Sequence, residues 1–386
     1  MISRFLSIIP LGLFVALVVF VGYAFVQGPT PASIALAPSD NPTSTQTVLP
    51  PTPTDTTTPT SRPILVASTQ TPTSTLIPTE TPVASIPTDT PTPPAPTPQP
   101  LTVVWVQGGV ESGEPPHTLG LLYPGGQNPI LQPYAAAPSL SPDGARLAFF
   151  SESSVSGLNT GIWIVDIADG VAVNHNQVID ITNVQNVAWS PDGLNLAFEI
   201  ILNPDEPREA WQSQIRIVRA DPESADELAR FDGRQPAWSS DGQELALYTC
   251  RGSGCGLFVL NCAGGGICDE ASSEQITFDS TDSFPAWSPD GSLAFASKRS
   301  GDHEIYVRLA DGNLINLTNR ASIDTTPVFS PDGRRIFIRT DAPDGINWQI
   351  QVITLNEDRN AAQNINSLLE DVGGDDNWGL AKPTVR

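Results

Sequence analysis

A pentapeptide built on Ser-Pro-Asp-Gly recurs five times in this chain of 386 residues. The copies begin at Leu140, Trp189, Trp238, Trp287 and Phe329, and the third has Ser240 in place of the proline. Their aspartates are Asp143, Asp192, Asp241, Asp290 and Asp332, and successive ones are 49, 49, 49 and 42 residues apart. A period of about 40–50 residues, rich in short strands and turns, is typical of β-propeller blades with four antiparallel strands.

The chemistry of the pentapeptide indicates a hairpin turn. Proline presets φ at the first corner, aspartate can accept hydrogen bonds from nearby groups of the turn, and glycine takes the left-handed position. We therefore interpret the five aspartates as structural turn residues. The bulky residue before each serine is expected to insert its side chain between neighbouring sheets, where aromatic rings contribute much of the buried area.

The strands between the turns are clearest in one repeat, where they cover Leu293–Ser297, Glu304–Leu309 and Leu314–Thr318. A fragment starting at Val103 fits the same frame without a preceding turn, and the stretch Trp378–Thr384 can supply the innermost strand that this fragment lacks. The sequence therefore predicts an all-β, six-bladed β-propeller over residues 101–386 whose two ends share one sheet. Such closure removes exposed strand edges, and we expect a monomer.

Residues 1–27 are predicted to form a transmembrane signal-anchor. The 22 residues from Phe5 to Val26 carry no charge, and a helix of this length crosses the roughly 30 Å hydrocarbon layer. A cleaved signal peptide is the alternative, although its best site at Ala35-Leu36-Ala37 is followed by Pro38. Because the positive flank, Arg4, precedes the apolar run, we expect a single-pass protein of the cell membrane with an extracytoplasmic C-terminal domain, at the cell surface or in the periplasm.

Residues 28–100 are predicted to be a disordered linker. This segment holds 19 prolines and 20 threonines, and it has too few large apolar residues to offset the entropy of ordering. Its composition favours an extended, polyproline-like spacer. A ligand for peptide-binding domains and a glycosylated stalk are the alternatives.

The repeats resemble those of the TolB-type six-bladed propellers. The resemblance is carried by Ser-Gly-Asp-His-Glu-Ile-Tyr-Val at 300–307, by Leu-Thr-Asn at 317–319 and by the repeated Trp-Ser-Pro-Asp-Gly. It implies a propeller that acts as a protein-interaction scaffold in the bacterial periplasm. The family pairs this propeller with a globular N-terminal domain, whereas this chain has the predicted anchor and linker in that position. Similar repeats also occur beside serine-peptidase domains.

The charge balance argues against nucleic acid as a partner. The formal net charge is −23, and a nucleic-acid binder needs basic residues that displace counterions from phosphate. Calcium binding is an alternative use of the acidic residues, but the acidity is more simply explained by solubility. The chain has no Gly-x-Ser-x-Gly elbow, phosphate-binding loop or His-Glu-x-x-His motif. We expect no cofactor and no metal.

The four cysteines fall within one repeat, at Cys250, Cys255, Cys262 and Cys268. Their spacing lacks the paired C-x-x-C motifs of zinc ribbons, and an even number in an exported chain favours disulfides. We expect the local pairing 250–255 and 262–268, because each pair flanks a short loop. The two other connectivities and a metal site are the alternatives.

The predicted function is non-enzymatic binding of a protein or peptide of the cell envelope. In a propeller, the loops after the second strand of each blade share a face with the connections between blades. Binding candidates on this face are His117, Glu152, Glu199, Arg208, Trp211, Arg251, Arg299, His303 and Asp344. For the two histidines a solvated loop position and a ligand contact are both open, and Trp211 is either an interface anchor or the first residue of a strand. The alternative function is a channel-facing hydrolase or polysaccharide lyase, which needs ionisable groups that converge in a pocket.

Overall fold

The computed structural model describes residues 101–108, 117–152, 157–207, 210–252, 254–263, 266–341, 347–370, 372–373 and 381–386. These described residues form six four-stranded antiparallel sheets. Within the described ranges, no helix has the length and apolarity needed to cross a bilayer. The predicted anchor and linker lie outside the described residues.

Each sheet is one propeller blade, and the strands follow the chain order with one exception. Blade 1 contains β1 (Val103–Gly108), β2 (His117–Tyr123), β3 (Gly126–Pro133) and the terminal β24 (Thr384–Val385). Blade 2 contains β4 (Ala135–Leu140), β5 (Arg146–Ser151), β6 (Gly161–Ala168) and β7 (Val171–Ile179). Blade 3 contains β8 (Val184–Trp189), β9 (Asn195–Ile201), β10 (Ser213–Arg219) and β11 (Glu227–Asp232).

The second half of the propeller repeats this arrangement. Blade 4 contains β12 (Arg234–Trp238), β13 (Glu244–Arg251), β14 (Gly254–Ala263) and β15 (Ile267–Gln275). Blade 5 contains β16 (Ser283–Trp287), β17 (Leu293–Ser297), β18 (Glu304–Arg308) and β19 (Leu314–Asn316). Blade 6 contains β20 (Asp324–Phe329), β21 (Arg335–Asp341), β22 (Trp348–Leu355) and β23 (Ala362–Leu369).

The ring is closed by β24, as the sequence predicts. Val103 pairs with Val385 and Val104 with Thr384 in antiparallel register, so β24 is the first strand of blade 1. First strands of neighbouring blades contact one another around the whole ring, including β20 with β24 and β24 with β4. The first strands therefore line a central channel, and the two ends of the folded region meet in one sheet.

The repeated turns have the predicted geometry. In the first, Asp143 Oδ1 accepts hydrogen bonds from Ser141 Oγ at 2.5 Å and from the Ala145 amide at 3.1 Å. The next residue, Gly144, has φ +71°, and the glycines of the other four turns also have positive φ. Asp192, Asp241, Asp290 and Asp332 accept the equivalent hydrogen bond from the amide two residues later. The five aspartates are therefore turn residues.

The large residues before the turns pack between blades. Trp189 of blade 3 is 3% exposed and belongs to a cluster that joins Ala148 and Ile164 of blade 2 to Leu196 of its own blade. The core is thus divided among the interfaces between blades. It leaves the loops at both ends of the propeller free to carry function.

The first strands contain prolines that an interior strand would not tolerate. Pro138, Pro236, Pro285 and Pro327 occupy matching positions in β4, β12, β16 and β20. Proline cannot donate to a strand ladder and is confined to sheet edges. It is accommodated here because one edge of each first strand faces the channel and pairs with no other strand of its sheet.

Candidate functional site

A bulge is repeated in the first strand of five blades, six residues before the turn aspartate. The residue at each bulge has positive φ although it is not glycine, and the ladder with the second strand shifts register there. These bulge residues are Ala137, Asn186, Gln235, Phe284 and Thr326, with φ between 48° and 58°. Bulges often re-aim side chains next to functional sites. Here they place five dissimilar side chains at one level of the propeller.

Hydrogen bonds connect the bulges of three consecutive blades. Asn186 Nδ2 donates to Glu199 Oε2 at 2.8 Å, and the Gln235 amide donates to the same oxygen at 3.1 Å. The Phe284 amide in turn donates to Gln235 Oε1 at 2.8 Å. Glu199 is 3% exposed, and its burial raises the pKa of the carboxyl. Three of the bulges thus form one polar network beside the channel.

A cavity lined by residues of three blades opens on the face that carries the loops after the second strands. We call it the loop-face cavity, and its volume is about 740 Å³. Its walls come from blades 4, 5 and 6 and combine bulge residues with loop residues. They include Arg234, Gln235, Tyr248, Asp282, Phe284, Lys298, Asp302, His303 and Trp348.

The wall of this cavity contains both charged and neutral hydrogen-bonding groups. Asp282 Oδ1 accepts a hydrogen bond from Arg299 Nη2 at 2.5 Å, and the guanidinium lies 4.8 Å from the centre of the Tyr306 ring. Asp282 Oδ2 is buried and has no hydrogen-bond partner among the described residues. Tyr248 Oη donates to the Ser280 carbonyl at 3.2 Å, and burial raises the pKa of this phenol.

His303 lies in the wall of the loop-face cavity and is 8% exposed. Burial and the neighbouring Lys298 lower its pKa to about 4, against a smaller opposing effect of Asp302. The imidazole is therefore neutral at pH 7. It is a partly enclosed wall residue, and the solvated loop position, one of the two predicted alternatives, is wrong for it.

Two predicted candidates from different blades meet at the same end of the propeller. His117 begins β2 of blade 1, and Glu152 follows β5 of blade 2. The His117 Nδ1 atom lies 2.7 and 2.8 Å from the two carboxylate oxygens of Glu152. This pair joins two neighbouring blades and is not part of the wall of the loop-face cavity.

Glu199 requires a correction to the predicted loop boundary. The sequence analysis places Glu199 among the loops after the second strands, whereas β9 continues to Ile201 and buries the Glu199 side chain. The reason is the hydrogen-bond network of the bulges, which compensates the carboxyl for its lost hydration. Glu199 is therefore an internal connector and has no direct access to a partner at the surface.

The remaining candidates lie apart from the loop-face cavity or outside the described residues. Trp211 is half-buried two residues before β10, and its indole donates to the Glu206 carbonyl at 2.9 Å. Arg251 lies at the end of β13 and forms an ion pair of 3.1 Å with Glu270. Arg208 and Asp344 lie outside the described residues.

Both local disulfides are present. Cys250 pairs with Cys255 and Cys262 with Cys268, and in each case the two cysteines stand directly opposite in the strand register. The expected connectivity is confirmed. Among the described residues no group of three or more His, Cys, Asp or Glu side chains could hold a metal ion.

Most residues of the loop-face cavity are not predicted by the sequence, because the predicted candidates lie in loops, whereas much of the wall comes from the first strands. The one sequence signal for the bulge residues is their position relative to the turn aspartates. Each bulge residue lies six residues before a turn aspartate and follows the same spacing of 49, 49, 49 and 42. Residue type gives no signal, because no single property is common to alanine, asparagine, glutamine, phenylalanine and threonine.

Comparisons with known proteins agree with this architecture. A family model described as the TolB beta propeller domain matches residues 205–367. The solved structure of TolB from Acinetobacter baumannii superposes with a TM-score of 0.56 at 18% identity, covering 74% of this chain and 66% of that one. At this identity the likeness shows the fold alone.

Two curated relatives match shorter parts of their own sequences. A TolB homolog of Chlorobium luteolum is 32% identical over 102 residues, which is 26% of this chain and 22% of that protein. The uncharacterised peptidase YuxL of Bacillus subtilis is 24% identical over 212 residues, which is 51% of this chain and 28% of that protein. The matches thus span about a quarter of each relative. Together with the six closed blades and the five turns, these matches show that the repeats of this chain are similar to those of the TolB-like β-propeller repeat family.

Proposed function

We propose that this chain is a membrane-anchored, extracytoplasmic propeller that binds a protein or peptide of the cell envelope and catalyses no reaction. The observation that carries the proposal is the loop-face cavity. Its volume of about 740 Å³ falls within the roughly 300–1,000 Å³ typical of ligand sites. It lies at an end of the channel where several blades contribute walls, so a ligand can contact blades 4, 5 and 6 at once.

The wall chemistry suits a polypeptide. The basic Arg234 and Lys298 and the acidic Asp282 and Asp302 balance in formal charge, so the cavity does not select for a strongly charged ligand. Backbone amides and carbonyls of an extended segment would find both donors and acceptors here, including the buried Asp282 Oδ2. Aromatic anchors buried at the centre of such sites often carry much of the binding energy.

The proposed location follows from three features. The uncharged run 5–26 is long enough to span a bilayer, and the Thr/Pro-rich segment 28–100 supplies a spacer. Two disulfides in a chain without free cysteines among its described residues fit an oxidising compartment. The likeness to two TolB proteins makes a cell-envelope partner the reasonable first choice.

A charge-exchange variant tests the binding face. The double change Lys298→Glu with Asp302→Lys alters two exposed cavity residues while it keeps the net charge. The matched control is Arg334→Glu with Glu357→Lys, which alters exposed turns at the opposite end. Each variant of the 386-residue chain is used as bait for cell-envelope protein of the source cell, with quantitative mass spectrometry as the readout.

The expected result is a set of captured proteins that is lost at least tenfold in the cavity variant and retained by the control. Equal capture by both variants would show that the binding face is elsewhere. Absence of any specific partner for the unaltered chain would remove the proposal.

A hydrolase or polysaccharide lyase is the second candidate. His303, Asp282 and Tyr248 line one cavity, and one relative is named a peptidase. Against it, the best general base has a pKa near the working pH, whereas that of His303 is about 4. Turnover of peptide and glycan libraries by the unaltered chain and by His303→Ala separates the two functions. Turnover that His303→Ala abolishes would favour the enzyme, and we expect none.

A further inference from the structure

Lys382 lies two residues before β24 and occupies in blade 1 the position that the bulge residues occupy in the other five blades. Thr384 Oγ1 accepts a hydrogen bond from the Leu140 amide at 3.0 Å, just as Ser139 Oγ accepts one from the Trp189 amide at 3.1 Å in the next blade. Thr384 therefore corresponds to Ser139, and Lys382 corresponds to Ala137. Lys382 is the blade 1 counterpart of the five bulge residues, although its own φ is not positive.

Lys382 reaches across the channel. Its Nζ atom donates to the carbonyl of Pro285, in the first strand of blade 5, at 3.4 Å. Burial alone lowers the pKa of this amine to about 8. A carbonyl at this distance stabilises an ammonium ion only weakly compared with a carboxylate.

A second cavity opens at the end of the channel that carries the repeated turns. We call it the turn-face cavity. Its volume is about 310 Å³, and its walls come from the first strands and turns of the blades, with Trp189, Trp238 and Trp287 and a set of prolines as the bulkiest groups. Lys382 and Arg386 are the residues with titratable side chains among its described walls.

The two cations of this cavity have no acidic side chain as a partner. No Asp or Glu belongs to the described walls of the turn-face cavity, and neither Lys382 nor Arg386 takes part in an ion pair within the described residues. Burial also lowers the pKa of Arg386, whose guanidinium donates a hydrogen bond of 3.3 Å to the Val385 carbonyl. Both residues are partly buried, and a cation that loses part of its hydration is normally compensated by an opposite charge. In a chain with net charge −23, such a cationic cavity is an exception that points to a ligand.

We propose that the turn-face cavity binds a small oxyanion, a carboxylate or a phosphate, between the ammonium group of Lys382 and the guanidinium group of Arg386. The volume corresponds to about ten water molecules, which accommodates such an anion with part of its hydration shell. Charge-assisted hydrogen bonds from an ammonium and a guanidinium are the usual means of holding oxyanions. The tryptophan and proline walls lower the local dielectric and strengthen the attraction.

This site is independent of the proposed partner site, because it lies at the opposite end of the channel and uses different residues. The chain offers an internal control for it. Lys298 and Lys382 are its two lysines, and one lines the loop-face cavity while the other lines the turn-face cavity.

The test is a titration of both lysines by NMR in the 386-residue chain. Reductive methylation with ¹³C-formaldehyde labels both ε-amino groups, and each resonance is followed from about pH 6 to 11, a range that brackets the ordinary lysine pKa. The titration is run in chloride alone, with inorganic phosphate, and with acetate. Lys382→Met identifies the Lys382 resonance. We expect phosphate, acetate or both to raise the titration midpoint of Lys382 and to leave that of Lys298 unchanged.

The three anion conditions also identify the ligand chemistry. A shift with phosphate alone indicates a phosphate site, a shift with acetate alone indicates a carboxylate site, and a shift with both indicates a general oxyanion site. Arg386→Met is expected to weaken the effective affinity at least tenfold, whereas the exposed Arg230→Met is expected to leave it unchanged. An unchanged Lys382 midpoint with both anions, or equal shifts of the two lysines, would overturn the proposal.

Discussion

The backbone amide of Phe284 donates a hydrogen bond of 2.8 Å to the side-chain oxygen of Gln235, one repeat earlier in the chain. Both residues are bulge residues with positive φ. The bond therefore ties the first strands of blades 4 and 5 together where the loop-face cavity meets the channel. Through the Gln235 amide and Glu199 it continues to Asn186 of blade 3.

Replacement of Gln235 by methionine should destabilise the propeller by about 1–3 kcal/mol. Methionine keeps the length of the side chain but leaves the Phe284 amide without its acceptor, and a buried donor without a partner costs about that much. Urea unfolding followed by tryptophan fluorescence measures the change. The control Gln243→Met lies in an exposed turn, and its effect should stay within about 0.5 kcal/mol. Equal stability of the two variants would show that the bond contributes nothing.

Glu199 should make the propeller less stable as the pH rises. Its pKa is raised in the folded state by burial, so the folded protein holds the proton at pH values where the unfolded chain has released it. Stability therefore falls as the pH rises from about 4.5 through the folded pKa.

Glu199→Gln is expected to remove this dependence while it keeps an oxygen that can accept from Asn186. The gain in unfolding free energy relative to the unaltered chain should be larger at about pH 8 than at about pH 4, as measured by urea unfolding at both pH values. Glu206→Gln, at an exposed position, is the control. A difference between Glu199→Gln and the unaltered chain that does not vary with pH would contradict the raised pKa.

The two disulfides should contribute unequally. Each closes a short ring, for which the loss of chain entropy in the unfolded state amounts to about 2 kcal/mol. Cys262 and Cys268 are also buried in the core between blades 3 and 4, whereas Cys250 is exposed. Replacement of the 262–268 pair by alanines should therefore cost more than replacement of the 250–255 pair, in denaturant melts of both double variants. The reverse order would mean that packing of the sulfur atoms adds nothing.

Removal of residues 381–386 should unfold more than one strand. Without β24, the edge of β1 and the channel sides of β4 and β20 lose their neighbour. Amide hydrogen exchange is expected to increase in blades 1, 2 and 6 together, and the tryptophan fluorescence transition should broaden.

A milder variant tests the same junction. Thr384→Val removes the acceptor of the buried Leu140 amide and should lower the free energy of unfolding by about 1–3 kcal/mol. Thr354→Val in β22 is the control.

For the deletion of residues 381–386, faster hydrogen exchange confined to β1 would show that the ring does not depend on its closing strand.

The sequence by itself determined the features that are local. Six units, the turn around each aspartate and the pairing of cysteines five and six residues apart all follow from short segments whose chemistry does not depend on distant residues. The phase of the repeats also predicted that the C-terminal segment would complete the first blade, because the N-terminal fragment lacked an innermost strand.

Only the tertiary structure decided which residues face the channel. The bulge residues share a position in the closed ring and no common side-chain type, so no motif marks them. His117 and Glu152 lie 35 residues apart and meet because their blades are neighbours. Lys382 reaches the blade 1 position that corresponds to the bulge residues because β24 pairs with β1. This pairing is a contact between opposite ends of the folded region. The physical reason is that closure of the ring, and not local sequence preference, sets which backbone groups and side chains face the channel.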